Sequence, residues 1–427
     1  MTYEQSIRYL LSLLGESGGA GLGLQRMQAL VERLGRPDKA FRVVHVAGTN
    51  GKGSTAAMIA SGLRAAGFRT GFHSSPHLTR FNERIEIDGA PVDDEAFVRA
   101  VEEVRAAIEA LTVDADRSSH PTLFEAVTAA AFCAFRNAGV AWGVIEVGLG
   151  GRLDATNVVD SELAVITAID LDHEAWLGKG LRRIAGEKAG ILRPSGAAVS
   201  ARQQPEAAAA LLERAGELGT DLVFAPEQLP LQPPAPDSRG RFRIAATDGS
   251  FAARLALAGE HQVDNAVTAW CALERLGVER EAIRQGLETA QWPGRLEWFE
   301  GPPPALLDAA HNPSGARALA AHLRRFHADR KIRLVYGASR DKAVDEVAGL
   351  LFPLADRVLL TRAALPRAVS PETLLSLTDH LHAEIECVPS AAEALRRARQ
   401  GAEPDTLLVV AGSIFLLGEI RPLLLAD

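Results

Sequence analysis

A glycine-rich stretch near the start of the chain has the residue types of a phosphate site. It reads Gly48-Thr49-Asn50-Gly51-Lys52-Gly53-Ser54. A short β-rich run, 41–47, precedes it, and helical sequence follows over 54–66. Backbone amides and the helix dipole at such a junction attract anions, glycines let the backbone approach phosphate, and a lysine adds a mobile cation. We therefore predict a phosphate-binding loop with Lys52 as its cation.

The loop departs from the common P-loop pattern, in which four residues separate a first glycine from a Gly-Lys-Ser/Thr triplet. Here Thr49 and Asn50 alone separate the first two glycines, and Gly53 lies between the lysine and Ser54. The alternative is a glycine-rich turn without a ligand. The strand before the loop and the helix after it favour phosphate binding. The hydroxyl of Ser54 or Thr55 is then available to Mg²⁺.

The rest of the chain indicates which elements hold this loop. Apolar runs at 70–73, 142–147 and 163–169 alternate with helical or loop sequence. This alternation predicts an α/β fold with a mostly parallel sheet covered by helices on both faces. It resumes after a proline-rich turn, with predicted strands at 305–308, 332–336, 357–361, 385–388 and 407–411. We predict a P-loop-type N-terminal domain, 1–297, and a smaller Rossmann-like C-terminal domain, 298–427.

Composition limits the function classes. The chain has 427 residues, 47% of them hydrophobic, and a net charge of −8, so nucleic acid is a poor candidate partner. Its three cysteines give no disulfide framework, and we find neither a signal peptide nor a membrane-spanning run. We expect a cytoplasmic monomer that acts on small molecules and does not bind membranes.

Further motifs follow the glycine loop in order along the chain. They are Ser74-Ser75-Pro76-His77-Leu78, Phe81-Asn82-Glu83-Arg84, 146–157 (Glu-Val-Gly-Leu-Gly-Gly-Arg-Leu-Asp-Ala-Thr-Asn), Asp172-His173, Glu187-Lys188-Ala189-Gly190-Ile191, Gly259-Glu260-His261-Gln262 with Asn265, Trp292-Pro293-Gly294-Arg295-Leu296-Glu297, Asp308-Ala309-Ala310-His311-Asn312-Pro313, Ser339-Arg340-Asp341-Lys342 and Gly412-Ser413 with Gly418-Glu419. Together they resemble the folylpolyglutamate synthase and dihydrofolate synthase family of the Mur ligase superfamily. The segment after His173 departs from this pattern at Trp176 and Gly180.

The resemblance implies an ATP-dependent ligase with an ATPase domain at the N-terminus. In this family a carboxylate attacks the γ-phosphate of ATP, and the amine of L-glutamate then attacks the acyl phosphate. The substrates implied are dihydropteroate or folates, L-glutamate and ATP. Such phosphoryl transfer depends on positioning and on charge stabilisation.

The resemblance also implies two Mg²⁺ sites, with Ser74, Glu146, His173 and Lys188 as ligands. Lys188 would be carbamylated, which requires a neutral amine and hence a lowered pKa. The alternative for His173 is a capping or hydrogen-bonding residue, since histidine is an unusual Mg²⁺ ligand. The alternative for Lys188 is a surface lysine paired with an acid.

Other positions match the family's nucleotide and substrate contacts. Asn265, Arg295 and Asp308 resemble ATP contacts, and Lys52, Lys188 and His311 resemble catalytic residues. Thr122, Phe124, Asp154 and Ser413 resemble substrate contacts. For the segment 308–313 the alternative is a helix N-cap, and for Phe124 it is a place in the core.

Two other functions remain open from the residues. One is a Mur-type ligase acting on a peptidoglycan precursor, which the insertion of Gly53 and the run 148–157 disfavour. The other is a nucleotide-binding switch protein, but we find no Asn/Thr-Lys-x-Asp guanine-reading motif.

Overall fold

The computed structural model describes residues 1–16, 23–112, 120–339 and 343–426. The predicted basic motif at 339–342 therefore lies outside the described residues except for Ser339. The chain divides into two units. The first comprises Met1–Pro233, Ile244–Arg254 and Asp264–Ala290, and the second comprises Pro234–Arg243, Leu255–Val263 and Gln291–Asp427.

Eight strands form the sheet of the first unit. They are β1 (Arg42–Ala47), β2 (Thr70–His73), β3 (Ile85–Ile87), β4 (Ala90–Pro91), β5 (Trp142–Glu146), β6 (Leu163–Ile166), β7 (Ala197–Ser200) and β8 (Asp221–Phe224). Their order is β4-β3-β2-β5-β1-β6-β7-β8. Only the β2–β3 and β3–β4 pairs are antiparallel, so the predicted mostly parallel sheet is confirmed. Strands β1, β5 and β6 are mostly apolar and almost wholly buried, as expected for a sheet covered on both faces.

Eleven helices occur in the described chain up to residue 290. They are α1 (Tyr3–Glu16), α2 (Gln25–Arg33), α3 (Lys52–Ala65), α4 (Asp94–Thr112), α5 (Leu123–Ala138), α6 (Glu174–Leu177), α7 (Leu181–Lys188), α8 (Pro205–Leu218), α9 (Ala225–Gln228), α10 (His261–Arg275) and α11 (Arg280–Thr289). Helix α3 packs closely against α11, where a β-carbon on Gly286 would lie 2.4 Å from the Cα of Gly62. The two backbones therefore touch directly.

Residues 235–258 contain a three-stranded sheet. Its strands are β9 (Ala235–Pro236), β10 (Arg241–Ala245) and β11 (Ala252–Ala258), in the order β11-β10-β9. Strands β10 and β11 are therefore neighbours in this sheet. The proline-rich run 230–236 contributes β9 at its end.

The second unit has its own six-stranded sheet. Its strands are β12 (Glu297–Phe299), β13 (Ala305–Leu307), β14 (Ile332–Tyr336), β15 (Arg357–Leu360), β16 (Ile385–Cys387) and β17 (Leu407–Ala411). Their order is β12-β13-β17-β14-β15-β16, and only β12–β13 is antiparallel. The helices are α12 (Pro313–Phe326), α13 (Val344–Leu351), α14 (Pro371–Thr378), α15 (Ala391–Arg399) and α16 (Ile414–Leu425). Within the described residues, no helix is both long and apolar enough to span a membrane.

Candidate active site

The glycine loop joins β1, in the middle of the first sheet, to helix α3. Strand β1 lies between β5 and β6 and pairs with both in parallel. Gly51 precedes α3 with φ of 85°, a conformation that glycine adopts without steric cost. A β-carbon there would lie 2.3 Å from Oδ1 of Asn265. The structure thus requires a glycine at this turn and brings Asn265 to the loop.

Two amides of the loop are already used to hold it in place. The N–H groups of Thr49 and Asn50 donate to the carbonyl of Ala168 at 3.0 and 3.1 Å, and the Thr49 hydroxyl donates to the carbonyl of Asp170 at 3.0 Å. Amides in the first turn of a helix have no acceptor within the helix. The amides suited to phosphate are therefore those at the start of α3, from Lys52 onward.

Two lysines converge on one carbonyl of the loop. Nζ of Lys52 donates to the carbonyls of Gly48 and Thr49, both at 3.1 Å. Nζ of Lys188, at the end of α7, donates to the same Gly48 carbonyl at 2.8 Å. Lys188 is 4% exposed, so the alternative of a surface lysine is wrong.

Lys188 has an unusual protonation equilibrium. Burial, together with the Lys52 cation, lowers the pKa of Lys188 to about 7, although the carboxylates of Asp172 and Asp154 act in the opposite direction. A large fraction of its amine is therefore neutral near neutral pH. The neutral amine is the form that reacts with CO₂.

Glu146 ends β5 and is the partner of Val46 on β1. Its side chain is buried, and Oε2 accepts a hydrogen bond from the Ser75 amide at 3.2 Å. The adjacent Ser74 is also buried, and its hydroxyl donates weakly to the carbonyl of Glu83 at 3.4 Å. The structure thus brings a carboxylate and a hydroxyl close together at the carboxyl edge of the sheet, where open α/β sheets bind ligands.

His173 is more exposed than these buried groups. It precedes α6 with φ of 52° and makes no side-chain capping bond to that helix. Its side chain is 40% exposed, with Nε2 at 3.8 Å from Oδ1 of Asp172. The capping alternative is therefore wrong for the side chain, and the ring remains accessible from solvent.

These donors fit a metal that is shared with phosphate. Among the described residues, no three His, Cys, Asp or Glu side chains are grouped as a metal site. Buried oxygen donors are nevertheless present at the ends of β5 and β2 and at the start of α3. They are the Glu146 carboxylate, the Ser74 hydroxyl and the Thr55 hydroxyl, which has no hydrogen-bond partner among the described residues. Oxygen donors of this kind suit Mg²⁺, which takes few protein ligands and completes its shell with water and phosphate.

The buried carboxylate of Asp154 accepts hydrogen bonds from the backbone around it, which the sequence did not indicate. Its Oδ2 accepts from the Leu149 amide at 2.8 Å, and its Oδ1 accepts from the amide and hydroxyl of Thr156 at 3.0 and 2.5 Å. Nε2 of buried His45 lies 2.8 Å from the same hydroxyl. This buried chain fixes the glycine run 148–151 that follows Glu146, and it occupies both oxygens of Asp154.

Thr122 and Phe124 lie at the start of α5. Thr122 forms a capping box with Glu125, accepting from its amide at 3.2 Å and donating its own amide to Oε2 at 2.6 Å. A β-carbon on Gly148 would lie 2.5 Å from Cζ of Phe124, so that ring covers the glycine run. Phe124 is partly buried and packs against the core of the unit, which leaves part of the ring exposed.

In the second unit, Arg295 lies in a turn held by a buried carboxylate. Oδ2 of Asp308 accepts from the Leu296 amide and Oδ1 from the Ala310 amide, both at 2.9 Å. Burial raises the pKa of Asp308, and the Arg295 cation and these two amides oppose that rise. Asp308, predicted as an ATP contact, is thus engaged with the backbone beside Arg295.

The remaining predicted residues begin two helices of the second unit. Nδ1 of His311 shares a 2.8 Å hydrogen bond with the carbonyl of Ala309. The side chain of Asn312 caps α12 by accepting from the Gly315 amide at 2.8 Å, so the N-cap alternative is confirmed for Asn312. Ser413 is buried at the start of α16 without a side-chain capping bond.

Comparison with known proteins gives a consistent result. The middle-domain model of the Mur ligases matches residues 46–273, and the model of the Mur ligase glutamate ligase domain matches residues 294–414. A dihydrofolate synthase/folylpolyglutamate synthase of Bacillus subtilis is 35% identical, covering 94% of this chain and 95% of its own.

Two solved structures are similar over nearly their whole length. A folylpolyglutamate synthase of Mycobacterium tuberculosis, complexed with ADP and AMPPCP, has a TM-score of 0.90 and 33% identity, covering 100% of this chain and 99% of its own. A bifunctional folylpolyglutamate synthase/dihydrofolate synthase of Yersinia pestis, complexed with AMPPNP and Mn ion, has a TM-score of 0.84 and 32% identity, covering 99% of this chain and 98% of its own. The resemblance inferred from the motifs is confirmed: the chain belongs to the dihydrofolate synthase/folylpolyglutamate synthase family of Mur ligases and is an ATP-dependent acid–amino-acid ligase.

Proposed function

We propose that the chain joins L-glutamate to dihydropteroate, to the γ-carboxylate of a folate, or to both, with release of ADP and phosphate. The observation that carries this proposal is the convergence of Lys52 and Lys188 on Gly48, with the Glu146 carboxylate on the adjacent strand. The Lys52 cation and the amides at the helix N-terminus meet the charge of a triphosphate, which is the main requirement of phosphoryl transfer.

The reaction has two steps. A carboxylate oxygen of the acceptor attacks the γ-phosphorus, and ADP leaves. The amine of glutamate then attacks the acyl carbon, loses a proton and expels phosphate as the amide forms. Lys52 neutralises the phosphates, and Arg295 stabilises the transferring phosphoryl group. Asn265 and Asp308 belong to the nucleotide-binding part of the site, and His311 is a catalytic residue.

Metal binding is assigned to residues around the loop. Bound Mg²⁺ supplies charge neutralisation to the phosphate oxygens. Ser74, Glu146 and His173 would hold it, and Lys188 would hold a second ion as a carbamate. Carbon-13 NMR in labelled bicarbonate tests the carbamate: a carbamate signal in the wild type that is missing from Lys188→Met supports it, and equal spectra would reject it.

Product analysis tests the whole proposal. The enzyme is incubated with ATP, Mg²⁺ and glutamate, with dihydropteroate, tetrahydrofolate or a UDP-linked peptidoglycan precursor as parallel acceptors. Mass spectrometry is expected to find a glutamyl adduct of one or both pterin acceptors, with one ADP for each amide. An adduct of the UDP-linked precursor alone, or ADP without an amide, would contradict the proposal.

The remaining predictions concern the domains, the substrate contacts, the oligomeric state and the location. We propose domains at 1–297 and 298–427, pterin-side contacts by Thr122 and Phe124, a contact of Ser413 with substrate, a monomer, and a cytoplasmic location. We also propose that Asp154 contacts the substrate, with its carboxylate held in place by the amides of Leu149 and Thr156.

A further inference from the structure

The turn that carries Arg295 is held from both sides by carboxylates. The Gly294 amide donates to Oε2 of Glu297 at 2.8 Å, and the Leu296 amide donates to Oδ2 of Asp308 at 2.9 Å. Both neighbours of Arg295 are therefore fixed through their backbone. The Arg295 guanidinium itself makes no hydrogen bond to the part of the chain that the structure describes.

The backbone at this turn is strained. Leu296 has φ of 44°, in the left-handed region that residues with a β-carbon rarely adopt. Such a conformation persists only where its surroundings over-determine it, and it is concentrated at functional sites. The buried carboxylate of Asp308 supplies part of that constraint, because it binds the amide of Leu296 itself.

Glu297 is held in turn by an arginine from a distant part of the chain. Nε of Arg421 donates to Oε1 and Oε2 of Glu297 at 2.9 and 3.0 Å, and Nη2 lies 2.9 Å from Oε1. A contact at several points fixes the plane of a carboxylate as well as its position. Arg421 lies on α16, the helix that begins after Ser413. One ion pair therefore connects the Arg295 turn to the helix at the proposed substrate contact.

We propose that Glu297 and Arg421 are positioning residues for Arg295. Arg421 orients the Glu297 carboxylate, Glu297 fixes the Gly294 amide, and the turn then presents the Arg295 guanidinium in one place. This inference rests on the proposed action of Arg295 at the transferring phosphoryl group. Position matters there, since a displacement of about 1 Å can lower a rate about 100-fold.

The first test is Arg421→Gln, assayed as ADP release with saturating acceptor and glutamate. We expect kcat to fall about 10- to 100-fold, with less than about a threefold change in KM for ATP. The matched control is Arg357→Gln, which removes an ion pair with Glu386 between β15 and β16 of the same unit. The control is expected to show a similar change in Tm and a kcat close to that of the wild type.

Two double variants separate positioning from general stability. Adding Arg421→Gln to Arg295→Ala is expected to lower kcat by less than about twofold, because the group to be positioned is already absent. Exchanging the charges with Glu297→Arg and Arg421→Glu is expected to restore Tm and leave kcat low, since an arginine cannot accept from the Gly294 amide.

The outcomes distinguish this inference from the proposed function. If Arg295→Ala keeps the wild-type kcat, the proposed role of Arg295 fails. If Arg295→Ala loses activity but Arg421→Gln does not, or if Arg421→Gln lowers kcat by the same factor with and without Arg295, the positioning inference is overturned. Recovery of kcat in the charge-exchanged variant would also overturn it.

Discussion

The two units hold their predicted site cations in opposite ways. In the first unit, the Lys52 ammonium group donates to the neutral carbonyl of Gly48, which also accepts from the Lys188 amine. In the second unit, the carboxylates of Glu297 and Asp308 accept from backbone amides on either side of Arg295, and within the described residues no carboxylate is hydrogen-bonded to its guanidinium. The first unit therefore hydrogen-bonds its cation directly, whereas the second hydrogen-bonds the backbone on either side of its cation.

This difference indicates how each cation meets an anion. A carbonyl is a weaker partner for an ammonium group than a phosphate is, because hydrogen bonds between two charged groups are stronger. A phosphate can therefore replace the Gly48 carbonyl as the partner of Lys52. The Arg295 guanidinium has no hydrogen-bond acceptor among the described residues that a phosphate would have to replace. Its contribution to phosphoryl transfer therefore depends on how well the turn that carries it is fixed.

The largest effect is expected from removing the cation of the loop. Lys52→Ala should lower kcat/KM for ATP by about 1,000-fold or more, since such lysines neutralise the phosphates during transfer. ADP release measures the loss, and circular dichroism checks that the fold is intact. Lys331→Ala, at an exposed lysine of the second unit, is the control. Turnover within tenfold of the wild type would remove Lys52 from the phosphate site.

Glu146→Gln should have the next largest effect. The amide keeps an acceptor for the Ser75 N–H but lacks the charge that a metal ion needs. We expect kcat at fixed Mg²⁺ to fall about 100-fold and the half-saturating Mg²⁺ concentration to rise. A Mg²⁺ titration measures both, with the exposed Glu162→Gln as control. An unchanged titration would place the metal elsewhere.

Asp308→Asn tests the second unit. An amide side chain can accept one of the two backbone N–H groups and turns a donor toward the other, so the Arg295 turn loosens. We expect a loss of about 1–3 kcal/mol in the free energy of unfolding and about a tenfold fall in kcat. Urea unfolding and ADP release measure the two. A large rise in KM for ATP with unchanged kcat would instead support direct nucleotide contact.

Lys188 should make stability depend on pH. Its pKa is about 7 in the folded protein and 10.5 as the ordinary value, so between these values the unfolded chain binds more protons. The free energy of unfolding should therefore rise with pH across this window. The destabilisation caused by burying Lys188 is fully present below about pH 7. Across this window the free energy of unfolding of the wild type should rise by on the order of 1–4 kcal/mol relative to that of Lys188→Met, with both measured in CO₂-free buffer. Parallel urea-unfolding results at all pH values would refute the lowered pKa.

The smallest effect is expected from a helix cap. Asn312→Ala removes the bond to the Gly315 amide at the start of α12 and should cost about 1 kcal/mol of stability. The kcat should stay within about threefold of the wild type, since the side chain is used in capping. A loss of kcat as large as that of Asp308→Asn would give Asn312 a part in catalysis.

Local pattern predicted much of this architecture. The glycine loop was recognised from residues adjacent in sequence, and the strands at 70–73, 332–336 and 407–411 have the predicted bounds. Strand β8 was missed because a run of four residues is too short for periodicity to separate a strand from a helix. Helix α3 begins at Lys52, two residues before the predicted start, because Gly51 provides the turn.

The candidate site depended more on distant contacts. The bond from Lys188 to the Gly48 carbonyl joins residues 140 apart, and that from Arg421 to Glu297 joins residues 124 apart. No spacing rule reveals such pairs in a single sequence. The side-chain partners of Asp154 were hidden for the same reason, since the motif shows that a carboxylate is present and the fold decides what it binds.

The contact between α3 and α11 makes the phosphate loop sensitive to change at a distance. Gly62 is ten residues after Lys52 on one continuous helix, about 15 Å along its axis. Because the Gly286 backbone touches Gly62, an added methyl group at 286 must displace α3 or α11. If α3 shifts, it moves as a rigid rod and carries its first turn, which begins at Lys52, with it. Position 286 is thus a remote point through which ATP use can be impaired by a residue that contacts neither nucleotide nor metal.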